Sequence, residues 1–130
     1  MEYPIIDGEI KDWDSLEKIW TNIFRKELKC STNNNKILVS IPIMMLGPQK
    51  QKLAHILFEK FNFQSIYLAP APLLAIYGSG KSTATICDSG DTLSQFASVY
   101  EGHIVERSLF KITLGGRHIN EQLKNTLKNL

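Results

Sequence analysis

Between Tyr77 and Asp91 the chain reads YGSGKSTATICDSGD, which holds two segments of the kind that grips phosphate. The first, Gly78 to Ser82, resembles the end of a Walker loop, where backbone N–H groups cradle phosphate oxygens and a lysine meets their charge. That pattern needs an earlier glycine, and Ala75 stands in its place. Its context is also inverted: PLLAIY before it reads as helix and TATIC after it as strand, so no helix N-terminus faces a phosphate. Gly78 and Gly80 are therefore read as a helix end and a tight turn feeding a strand, with Lys81 and Ser82 in solvent.

The second segment, Asp88-Ser89-Gly90-Asp91, follows an apolar strand and precedes another. A carboxylate at such a strand end can hold a hydrated metal ion, and the N–H groups of a tight Ser-Gly-Asp turn can cradle phosphate oxygens. The same residues are also ordinary hairpin-turn chemistry. On the residues alone both readings stand. Cys30 in a polar loop and Cys87 in an apolar run give neither a disulfide framework nor paired metal spacing, which suits a reducing compartment. His55, His103 and His118 lie far apart and read as surface or satisfied core residues.

The elements that must carry these loops follow from periodicity. Asp12 is an N-cap, after which Trp13, Leu16, Ile19, Trp20, Ile23, Phe24 and Leu28 recur on one helical face. ILVSI and SIYLA are short apolar runs that read as buried strands, and Pro42 ends the first. Between them Pro48 opens a helix with Leu53, Ile56, Leu57 and Phe61 inward. Trp13, Trp20, Phe24, Phe58 and Phe61 are assigned to the core. Pro72 opens a short helix through Tyr77. TATIC, SQFASVY and IVERSLFKITL then read as strands of antiparallel hairpins. Gly115 and Gly116 break the last, and Ile119, Leu123 and Leu127 define a closing amphipathic helix with Lys124 and Lys128 on its wet side. The order is αβαβα followed by βββα, an α/β chain.

With 130 residues, 43% hydrophobic and 22% charged, the chain has the composition of an ordinary folded domain rather than a disordered one. The net charge of +2 is spread out, without the clustered lysines and arginines of a nucleic-acid groove. No apolar run approaches the roughly 18 residues of a membrane helix, and the opening MEYPIIDGEI lacks the order of a signal peptide. An intracellular chain that binds neither nucleic acid nor membrane is expected.

Tyr3-Pro4-Ile5, DWDSLEKIW (Asp12 to Trp20), LFEKFN (Leu57 to Asn62), YGSGKST (Tyr77 to Thr83), DSGD (Asp88 to Asp91), YEGH (Tyr100 to His103) and LGGR (Leu114 to Arg117) resemble, in the same order, blocks of actin and the actin-related proteins. The resemblance runs from about Tyr3 to Leu127. It implies part of the ribonuclease-H-like fold that actin shares with hexokinase and the heat-shock ATPases: residues 1–77 as the end of the first half with its interdomain helix, residues 78–130 as the start of the second half. It implies that GSGKST is the turn after the interdomain helix and that DSGD is the family's second phosphate loop. Asp88 then faces the metal, and Gly90, Asp91, Thr92, Leu93 and Gly116 match nucleotide-contacting positions, with turn geometry as the alternative for each.

The same resemblance exposes departures. No segment matches the family's first phosphate loop or its adenosine-binding segment. The glutamine that orients the attacking water corresponds to Ala71, which has no hydrogen-bonding side chain. The catalytic histidine corresponds to Gln95, whose amide does not relay protons. Thr92 stands where the loop has a glycine, and Asp7 where actin has its modified histidine. The expectation is a chain with no catalytic residues and no cofactor of its own: a structural subunit with protein partners in a cytoskeletal or nuclear assembly, cytoplasmic with the nucleus as the alternative. An ATP-binding actin-like switch, holding Mg-ATP with segments outside this chain, is the second expectation; a small P-loop NTPase is a distant third.

Overall fold

In a computed structural model that describes residues 3–128, the first feature is a hairpin that periodicity did not announce. Strand β1 (Ile5–Ile6) pairs antiparallel with β2 (Glu9–Ile10). Asp7 and Gly8 between them have φ of 54° and 75°, the left-handed pair whose twist matches that of flanking strands. Asp7 thus serves a turn.

Helix α1 (Trp13–Asn22) begins where expected, with the Asp12 carboxylate accepting the Ser15 N–H at 3.1 Å. Hydrogen bonds from Ser15, its side chain first and its backbone N–H next, hold the Asp12 carboxyl below the usual carboxylate range. A depressed pKa contributes stability that is present above the unfolded-state value and lost as pH falls through the folded-state value. The melting-temperature gap between wild type and Asp12→Ala is therefore expected to close as the solution is taken below the usual carboxylate range. A gap that widens there contradicts the cap.

A wider π-helical turn, Ile23–Glu27, continues α1. It shifts the helical register, which is why Leu28 points outward although the simple repeat placed it on the apolar face. Ile19, at the edge of the stripe, is exposed as well. Helix α2 (Gly47–His55) carries Pro48 in its first turn and runs into a second π-helical turn, Ile56–Lys60. Ile56 and Leu57 of that turn are buried, while Phe58, assigned to the core from helical spacing, turns to solvent. Phe24 meets Phe61 and Phe63 edge-on, with ring centroids 5.2 and 5.3 Å apart. Trp13 and Trp20 pack on the same core.

Strands β3 (Lys36–Ile41) and β4 (Ser65–Pro70) form a two-stranded sheet. The sequence reads both as buried on two faces. β3 alternates instead, with Ile41 buried and Leu38 54% exposed, so one of its faces is open; on β4, Tyr67 is 57% exposed while Ala69, two residues on and on the same face, is buried. These elements make the first of two units, drawn from described residues up to Ile41 and from Met45–Ala69.

The second unit comprises Pro42–Met44 and the described residues from Pro70 on. Helix α3 (Ala71–Gly78) has Pro72 in its first turn and buries Leu73 and Ile76 against Val99. Strands β5 (Ala84–Ser89), β6 (Ser94–Tyr100), β7 (His103–Ile104) and β8 (Phe110–Ile112) form an antiparallel sheet in which β6 pairs with the other three. The expected single strand from Ile104 to Leu114 is broken by a 3-10 turn, Glu106–Ser108. There the Ser108 hydroxyl accepts the Ser98 N–H at 2.8 Å, replacing a ladder bond. Helix α4 (Gly116–Lys128) follows, and its apolar residues Ile119, Leu123 and Leu127 are all more than half exposed. Among the described residues no helix is long and apolar enough to cross a membrane.

Candidate functional site

Antiparallel register decides which side chains meet at the end of the second sheet. Asp88 on β5 lies opposite Gln95 on β6, and Gln95 lies opposite Lys111 on β8. Directly opposed residues share a face, so a carboxylate, an amide and an ammonium stand in one row. Lys111 was not singled out from the sequence, because its place depends on the break in the strand before it.

Gln95 is buried, and both ends of its amide are engaged. Its Oε1 accepts the N–H of Ile43 at 2.7 Å, and its Nε2 donates to Asp88 Oδ2 at 3.3 Å. Ala71, at the first position of α3, presents only a methyl group.

The DSGD turn closes on itself and on α4. The Gly90 N–H donates to the Leu93 carbonyl at 2.9 Å. The carbonyls of Gly90 and Asp91 accept the N–H groups of Gly116 and Arg117 at 2.9 and 2.8 Å, and the Asp91 carboxylate pairs with the Arg117 guanidinium. Two donors at the α4 N-terminus are thus occupied by the loop itself. Gly115 makes this docking possible: a Cβ there would lie 2.5 Å from both the Gly90 and the Asp91 carbonyl oxygens. The sequence marked Gly115 as a strand breaker; the paired glycines were the signal for close backbone approach.

Asp88, Gly90, Asp91, Thr92, Leu93 and Gly116 are therefore brought to one end of one sheet. Leu93 buries its side chain, so only its backbone can meet a ligand. Among the described residues, the N–H groups of Asp91, Thr92 and Leu93 pair with no other backbone group. These three donors and the Asp88 carboxylate can face an anion and a cation from one side. Among the described residues no group of three or more His, Cys, Asp or Glu side chains could hold a metal ion.

The model of the actin family matches residues 1–130. The chain belongs to the actin family. An actin-like protein of Neurospora crassa is 34% identical over 128 residues, covering 98% of this chain and 34% of its own length. Two sequences named actin-related protein 4, from the indica and japonica subspecies of Oryza sativa, are each 29% identical over 126 residues, 97% of this chain and 28% of theirs. The chain spans about a third of the length of these relatives. Family membership carries the ATPase fold of actin, hexokinase and the heat-shock ATPases, and the mixed α/β architecture agrees with it.

Proposed function

We propose that the chain acts as a non-catalytic actin-related protein, a structural subunit of a cytoskeletal or nuclear assembly working through protein partners. The observation that carries this reading is the Gln95 amide. At the position where actin has its catalytic histidine, both ends of a non-titrating side chain are tied to Ile43 and Asp88. With the methyl of Ala71 at the other catalytic position, neither group is able to place or deprotonate a water.

Partner docking is supported by apolar surface left open in each unit: Leu38 and Tyr67 in the first; Leu114, Ile119, Leu123 and Leu127 in the second. Contiguous apolar surface and open sheet edges are what a second protein surface covers. Size-exclusion chromatography with light scattering on the purified chain is expected to show association, together with binding of a hydrophobic dye. A monodisperse monomer that melts in one cooperative step and binds no dye contradicts the docking reading.

The unengaged N–H groups of Asp91, Thr92 and Leu93 favour a second reading, in which Mg-ATP binds once further segments complete the cradle, as an actin-like switch. On that reading Asp88 faces the metal, and Gly90 and Gly116 shape the loop. For the chain alone no bound cofactor is proposed.

A further inference from the structure

The segment Pro42–Met44 joins the second unit although it lies between β3 and α2 in sequence. Ile43 is 2% exposed, and Met44 has φ of 56°, a left-handed conformation that its side chain disfavours. A bend of this kind persists only where surrounding contacts determine it. The contact on hand is the bond from the Ile43 N–H to Gln95 Oε1 at 2.7 Å. Being buried, this donor costs free energy if its acceptor is removed.

The direction of the Gln95 amide follows from its two partners. The Ile43 N–H can only donate, so it requires the oxygen end; the ionised Asp88 carboxylate can only accept, so it requires the NH2 end. The two demands agree on one orientation. Turning the amide over would set NH2 against N–H and oxygen against carboxylate, breaking both bonds and adding repulsion at each end.

We propose that Gln95 is a positioning residue whose amide is aimed by the charge on Asp88, and that the Asp88–Gln95–Ile43 chain holds the Pro42–Met44 bend against β6. The phosphate-loop carboxylate thereby fixes a segment distant from it in sequence. Any change that takes up the lone pairs of Asp88 weakens the hold on Ile43.

The test is deuterium exchange at the Ile43 amide, read by mass spectrometry on the full 130-residue chain. In Gln95→Glu two carboxylates oppose one another and the donor to Asp88 is gone; exchange at Ile43 is expected to quicken roughly ten-fold. Combining Gln95→Glu with Asp88→Asn exchanges the two groups. The new carboxylate then accepts from the asparagine NH2 with one oxygen and from the Ile43 N–H with the other, and exchange is expected to return to within about three-fold of wild type. Lys111 faces this row in both variants, so its charge does not produce the difference between them. Exchange as fast in the double variant as in the single one overturns the proposal. So does a single variant that exchanges as slowly as wild type. Should the single variant fail to fold, the double variant decides: restored slow exchange at Ile43 supports the charge-aimed chain, and fast exchange overturns it.

Discussion

Gly115→Ala is expected to destabilise the second unit by about 1–3 kcal/mol, the usual cost of forcing extra volume into a close-packed contact. The new methyl would meet two backbone carbonyl oxygens at 2.5 Å, those of Gly90 and Asp91. Neither belongs to a side chain that can swing away. The same two oxygens accept the N–H groups of Gly116 and Arg117, so making room means stretching both bonds or tilting α4 off the loop. Gly78→Ala is the control. Nothing lies within 4 Å of a Cβ at Gly78, and alanine at the last position of α3 is expected to leave stability unchanged or raise it by up to about 1 kcal/mol. Urea unfolding midpoints of the two variants check this. A Gly115→Ala midpoint equal to wild type shows that the loop does not need the close approach.

What was legible in the sequence was local. Asp12, Pro48 and Pro72 mark helix starts through chemistry that acts within a turn, and each lies where its signal placed it. Gly90 beside Asp91 marked a turn between strands for the same reason. What periodicity missed depends on departures from ideal geometry or on distant partners. Two π-helical turns moved Leu28 and Phe58 off the faces that a 3.6-residue repeat assigns them. Ser108 interrupts what reads as one strand, because its hydroxyl offers the backbone of Ser98 another partner. The Asp7-Gly8 hairpin was readable from its dipeptide, yet its strands are too short to show alternation. In the site, the loop residues were found by resemblance to actin. The row of Asp88, Gln95 and Lys111 rests on register, and the bond to Ile43 rests on a segment far away in sequence. Neither is encoded in any short stretch.

The second large effect concerns chemistry. In the actin family a glutamine and a histidine place and deprotonate the attacking water, and one positioned acid–base group is typically worth about 10²–10⁴ in rate. Ala71 offers nothing to a water, and the amide of Gln95 neither titrates nor has a free end. Loss of both groups is expected to leave no turnover that can be told from solution hydrolysis. Phosphate release from Mg-ATP, measured on the purified chain and on any assembly recovered with it, tests the non-catalytic reading most directly. The expected rate equals that of buffer and is unchanged in Asp88→Ala. Release above buffer that disappears in Asp88→Ala contradicts it.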